Sequence, residues 1–348
     1  MTRQTEAAVL FKTCEPLRLA TLSIPDLRAG QVLVEVAYSG VCQSQLLEIL
    51  GKRGPDHFLP HTLGHEGSGK VIEVGPKVKK VKPGDRVVLS WIKGEGADVP
   101  SMVYQSLEGP VNSGAISTFM RKTVTCESRV VPIPDAMPLR EAALLGCAIP
   151  TGAGIVMNTA NVQKGESIAI FGMGGVGLSA VLAASLREVA IIIAVDVFDH
   201  KLDQARRIGA THVINAAQEN SLARILEVTH GCGVDYAIES AGSERAMEFA
   251  FQAVKKNGGL CVLAGNLPSG GHISIDPFDL IIGKRIMGTW GGSTQPDLDI
   301  PRYVDLYLSG KLKLNVLITH EYRLENINQV FNDLADGKLG RAVINMME

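Results

Sequence analysis

Short apolar segments alternate with helical segments through the middle of the chain, and this alternation most constrains the fold. The apolar segments ESIAIFG, IIIAVD, THVINA, VDYAIES and GLCVLAG are typical of strands that are buried on both faces of a sheet. Helical stretches lie between them, among them HKLDQARRIG, SLARILEVTH and SERAMEFAFQAVKKNG. Strand and helix alternating at this spacing predict an α/β protein with a doubly wound parallel sheet and right-handed crossovers.

A glycine-rich turn follows the first of these strands, in IAIFGMGGVGLSAV. Gly172, Gly174 and Gly177 match G-x-G-x-x-G, a pattern that permits a tight turn and places a pyrophosphate at the N-terminus of the next helix. Asp196 ends the second strand, 19 residues after Gly177, where a carboxylate can accept hydrogen bonds from an adenosine ribose. Such a carboxylate repels the 2′-phosphate of NADP, and no arginine follows it in VDVFDHK. The sequence therefore predicts NAD as the cofactor.

The first third of the chain is rich in β-branched residues and shows little helical periodicity. QVLVEVAYS (Gln31–Ser39), GKVIEVG and GDRVVLS are predicted to be short strands of a small, mainly β domain. The segment Lys93–Gly114 has glycines and prolines but no clear period, so we expect a long functional or mobile loop there. Near the end of the chain, NINQVFNDLADGK predicts a helix and RAVINM a closing strand.

Length, charge and cysteine usage narrow the class of protein further. A chain of 348 residues is too long for one ordinary core, so two domains are expected. With 34 basic and 36 acidic residues, the chain has no electrostatic footprint for nucleic acid. The N-terminus lacks a secretory signal, the most apolar window is too short for a membrane span, and the six cysteines include no C-x-x-C pair. These features predict a cytoplasmic protein without a nucleic-acid or membrane partner.

His65 and Glu66 lie side by side in LGHEGSGKVIEVG, just before a predicted strand. They are either half of a metal site or a polar turn. Zinc prefers thiolate and imidazole ligands, and Cys42 and Cys147 are available as partners for His65. Spacings as wide as these leave both interpretations open on residue type alone.

Several motifs in the same order resemble the zinc-dependent alcohol dehydrogenases of the medium-chain dehydrogenase/reductase superfamily. They are G-V-C-x-S (Gly40 to Ser44), G-H-E-G (Gly64 to Gly67), V-x-x-G-D-R-V (Val81 to Val87), G-C-x-x-x-T-G (Gly146 to Gly152), G-x-G-G-V-G and LITH. The resemblance implies a GroES-like catalytic domain (1–151 and 290–348), a Rossmann NAD-binding domain (152–289) and an active site in the cleft between them. It also implies hydride transfer between an alcohol, or the corresponding aldehyde or ketone, and NAD. A homodimer or homotetramer is implied as well, with Ile281–Trp290 as a candidate contact strand.

The resemblance assigns roles to individual residues. Cys42, His65 and Cys147 are implied as ligands of a catalytic zinc, with Glu66 as a nearby or alternative ligand. Ser44 is implied as the hydroxyl that starts the path of the substrate proton. Trp91 either lines the substrate pocket or is an ordinary core aromatic. The implied cofactor contacts are Thr151, Gly172, Gly174, Gly175, Val176, Gly177, Asp196, Lys201 and Arg341.

Departures from the family pattern matter too. Many relatives hold a structural zinc with four closely spaced cysteines, but Lys93–Gly114 contains no cysteine, so one zinc per chain is expected. Gln43 replaces a basic residue that often contacts the pyrophosphate. Gln45 replaces an aspartate that orients the histidine ligand, and Leu47 replaces a histidine of the proton path. The alternatives are a polyol or sugar-derivative dehydrogenase, a zinc-free quinone or enone reductase, and a cofactor-binding protein without turnover; Cys147 argues modestly against the first.

Overall fold

The computed structural model describes residues 3–347, which form two compact units. One unit combines the chain up to Cys147 with the part from Gln295 onward, and the other is Ala148–Thr294. The boundaries expected from the sequence, 151/152 and 289/290, fall within five residues of these positions. Each unit is described separately below.

The strands and helices are numbered in chain order. The strands are β1 Gln4–Leu10, β2 Arg18–Ser23, β3 Gln31–Gly40, β4 His61–Thr62, β5 Glu66–Val74, β6 Arg86–Ser90, β7 Val103–Ser106, β8 Gly109–Asn112, β9 Lys122–Cys126, β10 Val130–Ile133, β11 Ser167–Phe171, β12 Ile191–Asp196, β13 His212–Asn215, β14 Tyr236–Glu239, β15 Leu260–Leu263, β16 Arg285–Gly288, β17 Ile318–Arg323 and β18 Arg341–Asn345. The helices are α1 Gln43–Ile49, α2 Leu139–Ala142, α3 Ala148–Gly154, α4 Gly175–Leu186, α5 Asp199–Arg207, α6 Ser221–Val228, α7 Glu244–Ala253, α8 Pro277–Ile281, α9 Pro296–Leu308 and α10 Ile327–Ala335.

The Ala148–Thr294 unit is built on a six-stranded sheet in the order β13-β12-β11-β14-β15-β16. Every neighbouring pair in it is parallel, and the strand centres are fully buried, as at Ala169 and Ile193. This confirms the doubly wound parallel sheet that the alternation of apolar and helical segments predicts. The strand order reverses direction beside β11, and ligands of such sheets bind at that point, beyond the carboxyl ends of the strands. The glycine-rich turn follows β11 there.

The other unit is mainly β. It contains a closed barrel, β1-β2-β7-β8-β4, and a seven-stranded sheet, β10-β6-β5-β3-β18-β17, with β9 also paired to β3. The two faces of strand β3 pack in two different hydrophobic clusters of the unit. Val32, Val34 and Val36 pack in one hydrophobic cluster, whereas Leu33, on the opposite face, packs in the cluster of the barrel. The alternation of valines that predicts this strand is thus the alternation between two cores.

The segment Lys93–Gly114 is not the irregular loop that its glycines and prolines predict. It contains β7 and β8, which pair antiparallel through Val103↔Asn112 to Ser106↔Gly109. Tyr104 is fully buried and its hydroxyl accepts a hydrogen bond from the main-chain N–H of Val124, at 2.8 Å. The strands are four residues each, too short for a visible period, and a buried tyrosine anchors them.

Two carboxylates accept main-chain hydrogen bonds in and near the first part of Lys93–Gly114. Glu127 is 5% exposed and accepts main-chain N–H groups of Lys79, Lys80 and Ala97, the last two at 2.7 and 2.9 Å. Asp297, on α9, accepts the N–H of Glu95 at 2.6 Å. Burial alone would raise the pKa of Glu127, but the three N–H donors outweigh it, and the pKa lies below its ordinary value.

We expect Glu127→Gln to lower the free energy of unfolding by about 1–3 kcal/mol near neutral pH, because an amide nitrogen cannot accept one of the three N–H groups. A carboxylate with a lowered folded-state pKa stabilises the fold above its unfolded value of 4.5, and this contribution is lost as pH falls through the folded value. Urea unfolding of the parent protein and of Glu127→Gln should therefore show a difference in the free energy of unfolding that becomes smaller as the pH falls into the acid range. Glu15→Gln, a control at an exposed position, should leave the free energy of unfolding unchanged. A difference for Glu127→Gln that stays constant or grows in acid would contradict a stabilising role of the charged Glu127 carboxylate.

Among residues 3–347, no single helix has both the length and the apolar character needed to cross a membrane. One bent pair of helical segments, Leu139–Gly146 and Ala148–Thr159, meets the length and composition test only in combination; half of the residues of α2 and all those of α3 are buried.

Candidate active site

Cys42, His65 and Cys147 come together in the mainly β unit. One ligand atom of each, the two sulfurs and a ring nitrogen, lies within 4.8 Å of the others. Cys147 is buried, while Cys42 and His65 are partly exposed. Two thiolates and an imidazole are the donor set that zinc prefers, and three protein ligands leave a fourth position for substrate. The residues present therefore fit a catalytic zinc ion.

Local backbone features explain why residues so far apart in sequence converge. Cys42 has extended backbone angles where β3 gives way to α1, and its N–H donates to the side-chain oxygen of Gln45 at 3.0 Å. His65 follows Gly64, whose φ of +96° suits glycine. Cys147 follows Gly146, where an added Cβ would lie 2.2 Å from the main-chain oxygen of Leu89. The close approach that Gly146 permits holds Cys147 against β6.

The thiol of Cys42 is tuned by its neighbours. Hydrogen bonding with Cys147 is the largest influence and lowers the pKa of Cys42 well below its ordinary value; burial opposes this, and His65 reinforces it. The hydroxyl of Ser44 also donates to the Cys42 sulfur, at 3.4 Å. A thiolate rather than a thiol is the form that binds metal, so these contacts prepare Cys42 as a ligand.

Glu66 and Arg341 form a buried ion pair beside this cluster. Glu66 is fully buried and Arg341 is 4% exposed, and Arg341 also donates to the main-chain oxygen of Val41. Gly40 makes room for the pair, since a Cβ there would lie 2.5 Å from the Glu66 carboxylate and 2.9 Å from the Arg341 guanidinium. Arg341 is thus close enough to Cys42 to interact with its sulfur. Glu66 lies against Arg341 rather than within the group of three donors. Direct zinc ligation by Glu66 and a pyrophosphate contact by Arg341 stay predictions.

Two other residues singled out in this unit are placed as follows. Gln45 is 1% exposed, and its amide oxygen accepts the Cys42 N–H, so it caps α1 at the position where relatives have an aspartate that orients the histidine ligand. Trp91 is partly buried and packs against the main hydrophobic cluster of the unit. A contact between Trp91 and substrate stays a prediction.

The glycine-rich turn of the second unit has the geometry that a dinucleotide needs. Gly172 has φ +91°, and a Cβ there would lie 2.7 Å from the N atom of Ala241. A Cβ on Gly177 would lie 1.8 Å from the oxygen of Gly172, so only glycine permits α4 to pack this closely. At Gly174, by contrast, a Cβ would meet no atom of the described residues within 4 Å. Gly174 thus offers open backbone at the N-terminus of α4, which begins at Gly175 and continues through Val176.

Asp196, the last residue of β12, forms a hydrogen bond with the glycine-rich turn. Its carboxylate accepts N–H groups from Met173, Val197 and Phe198 at 2.6, 2.8 and 3.0 Å. It remains partly exposed, so lone pairs are left for a ribose hydroxyl. Lys201 lies on α5, with its amino group 4.8 Å from the centre of the Phe198 ring.

The hydroxyl of Thr151 is a buried polar atom without a hydrogen-bond partner among the described residues. Thr151 lies on α3, which packs against α4; a Cβ on the adjacent Gly152 would lie 2.1 Å from the main-chain oxygen of Val176. A buried hydroxyl without a partner is costly, and a bound amide or ribose group would satisfy it. The open backbone of Gly174 and the hydroxyl of Thr151 therefore fit a nicotinamide dinucleotide.

Sequence comparison agrees with this geometry. Residues 28–135 match the alcohol dehydrogenase GroES-like domain, and residues 175–309 match the zinc-binding dehydrogenase domain. The chain belongs to the zinc-binding alcohol dehydrogenase family of the medium-chain dehydrogenases. The expectation of an alcohol oxidoreductase that uses zinc and a nicotinamide cofactor is thereby confirmed.

Particular relatives match along their whole length. The S-(hydroxymethyl)glutathione dehydrogenase of Paracoccus denitrificans is 31% identical over 373 residues, covering 98% of this chain and 99% of the relative. The benzyl alcohol dehydrogenase of Acinetobacter calcoaceticus has a similar structure, with a TM-score of 0.90, 31% identity and coverage of 99% of this chain and 100% of that one. A zinc-binding alcohol dehydrogenase domain protein of Burkholderia ambifaria gives a TM-score of 0.91 at 32% identity, with both chains covered completely.

Proposed function

We propose that this protein oxidises an alcohol to the corresponding aldehyde or ketone, with NAD as its preferred acceptor and one catalytic zinc held by Cys42, His65 and Cys147. The observation that carries the proposal is the convergence of those three donors within 4.8 Å. The open glycine turn and the Thr151 hydroxyl support the cofactor assignment. An enzyme of this kind needs no nucleic acid or membrane partner, and the six free cysteines suit a reducing compartment such as the cytoplasm.

The side chains divide the work of the reaction. When bound, zinc would supply Lewis acidity that favours release of the alcohol proton, and NAD would accept the hydride from the alcohol carbon. Glu66 and Arg341 neutralise one another beside Cys42, so a buried charge does not compete with the ligands. We expect Ser44, whose hydroxyl contacts Cys42, to accept the alcohol proton and pass it on.

Preference for NAD over NADP can be measured directly. We expect a higher kcat/KM with NAD, because Asp196 at the end of β12 would repel a 2′-phosphate. Asp196→Ala should bring the kcat/KM values for NAD and NADP closer together, because it removes both a hydrogen-bond acceptor and a negative charge. The variant also loses three main-chain contacts of the carboxylate, so Asp196→Asn, which keeps an acceptor oxygen, is the matched control. Equal values for the parent, or a preference for NADP, would contradict the assignment.

A homodimer or homotetramer forms part of the proposal. It is supported by β16, the edge strand of the parallel sheet, which is flanked by the exposed apolar side chains Ile281 and Trp290, at 77% and 79% exposure. An exposed apolar edge strand is a surface that usually pairs with another chain.

Light scattering should give a mass well above the 37.1 kDa of one chain. Ile281→Glu should shift the mass toward the monomer, because it places a charge in the proposed contact. Leu107→Glu, which alters a fully exposed apolar residue of the other unit, should leave the mass unchanged. A stable monomer for the parent protein would refute this part of the proposal.

A further inference from the structure

A second cluster of ligand-type side chains lies in the mainly β unit, apart from the two cysteines and His65. Glu48 lies near the end of α1, Asp56 in the segment that connects α1 to β4, and His61 at the start of β4. One ligand atom of each lies within 4.8 Å of the others. His61 is 6% exposed, whereas the side chains of Asp56 and Glu48 are 12% and 27% exposed. The cluster is therefore anchored in the fold and reachable from solvent.

Both ring nitrogens of His61 face oxygen atoms that accept hydrogen bonds. Nδ1 lies 3.1 Å from the main-chain oxygen of Thr62, and Nε2 lies 2.9 Å from Asp56 Oδ2 and 3.9 Å from Glu48 Oε1. A neutral imidazole carries only one N–H group. If Nδ1 donates to Thr62, the lone pair of Nε2 points toward two carboxylates. With Nδ1 as the donor, the contact of Nε2 with the carboxylates is favourable only with a cation between them, either a second ring proton or a metal ion. The other neutral tautomer, with its proton on Nε2, would donate to Asp56 but would set the Nδ1 lone pair against the oxygen of Thr62.

The carboxylate of Asp56 is held in its charged form. Burial would raise its pKa, but the N–H of Phe58, which donates to Oδ1 at 2.9 Å, and His61 together lower it. Oδ1 is thus committed to the backbone, and Oδ2 is directed toward His61. Arg53 lies beside the cluster, with its largely exposed guanidinium 3.7 Å from the far oxygen of Glu48, and the exposed side chain of His57 is a second titratable neighbour of Asp56.

The geometry of the cluster favours a metal ion over a proton. A histidine that donates Nδ1–H to a main-chain oxygen and presents Nε2 is oriented as metal-binding histidines are. Ligands around a tetrahedral ion with bonds of about 2.1 Å are about 3.4 Å apart, and the 2.9 and 3.9 Å separations lie on either side of that value.

We propose that Glu48, Asp56 and His61 form a second metal site, for a divalent transition-metal cation such as zinc. It is distinct from the catalytic site and adds a second ion to the single zinc expected from the sequence. The ion would join three consecutive parts of the chain: α1, the 51–60 segment and β4. Because α1 begins directly after Cys42, the second ion stabilises the helix that follows a catalytic ligand.

Zinc binding to the holoenzyme tests the proposal. After equilibrium dialysis at micromolar free Zn²⁺, we expect two zinc ions per chain in the parent protein and one in Glu48→Gln and Asp56→Asn. His57→Gln, which alters the exposed histidine of the same segment, should keep two. Glu48 is partly exposed, so its variant tests the site even if Asp56→Asn fails to fold. One ion in the parent, or two ions in every variant, would overturn the proposal.

The ring of His61 provides a second readout that is independent of activity. A two-bond ¹H–¹⁵N spectrum of the histidine rings, assigned with His61→Gln, should show Nδ1 protonated and a large shift of the Nε2 signal when Zn²⁺ is added. Two protonated nitrogens, or a neutral ring with its proton on Nε2, that do not respond to Zn²⁺ would show that a proton rather than a metal ion faces the carboxylates, and would overturn the metal assignment.

Discussion

Cys147→Ala should lose the catalytic zinc and slow alcohol oxidation by at least about 10³-fold, while NADH binding stays measurable. The Cys147 sulfur is one of the three donors that the described residues bring together here, and two of these donors would hold zinc far more weakly than three. Lewis-acid stabilisation amounts to several kcal/mol, and each 1.36 kcal/mol is a factor of about ten in rate. Zinc content, kcat/KM and NADH fluorescence titration are the three measurements.

Cys126→Ala is the matched control for that experiment. Cys126 is also a buried thiol of the mainly β unit, but its sulfur contacts Asp98 and Ser128, outside the cluster of three donors. The control should keep zinc and activity. If Cys147→Ala kept both as well, the assignment of this sulfur to the metal would be wrong; if it lost NADH binding too, the substitution would have damaged the fold and not only the metal site.

Ser44→Ala should slow alcohol oxidation at neutral pH by about 10²–10⁴-fold, the range typical of groups that transfer a proton. The hypothesis is that the Ser44 hydroxyl starts the path by which the alcohol proton leaves, and that ordered water completes it, because Leu47 cannot accept a proton. The structure places this hydroxyl 3.4 Å from the Cys42 sulfur, partly buried.

Two further variants separate a proton path from a structural effect on Cys42. Ser44→Thr keeps the hydroxyl and should retain most of the activity, and zinc content should be unchanged in both Ser44 variants. Leu47→His should change the pH dependence of kcat by adding a second proton acceptor. If Ser44→Ala oxidises alcohol as fast as the parent protein, the proton leaves by another route.

The parallel-sheet unit could be predicted in detail from the sequence, because its local signals agree with its fold. Each predicted strand from ESIAIFG to GLCVLAG is present, and the helices between them begin and end within a few residues of the helical stretches. The candidate strand in Ile281–Trp290 is present as Arg285–Gly288. Strands buried on both faces appear in the sequence as short apolar runs, and turns that need a positive φ appear as glycines. Both patterns can be recognised without knowledge of the tertiary structure.

The mainly β unit was predicted less completely, because its important contacts join distant residues. Glu66 pairs with Arg341 across 275 residues, and Glu127 fastens the backbone at Lys79 and Ala97, with no periodic signal in either case. The hairpin in Lys93–Gly114 depends on burial of Tyr104. The cluster of Glu48, Asp56 and His61 likewise has no recognisable spacing, and only the path of the chain around β4 brings it together.

The central claim, a zinc-dependent and NAD-linked oxidation of alcohols, is tested most directly by one assay. NADH formation is followed by absorbance over a panel of primary, secondary, aromatic and polyol alcohols, and S-(hydroxymethyl)glutathione, before chelation, after chelation and after zinc is restored. The account predicts NADH formation with at least one alcohol, loss of that activity on chelation and its return with zinc. Turnover that persists without metal, or no NADH formation with any alcohol by a protein that holds zinc and binds NAD, would contradict it.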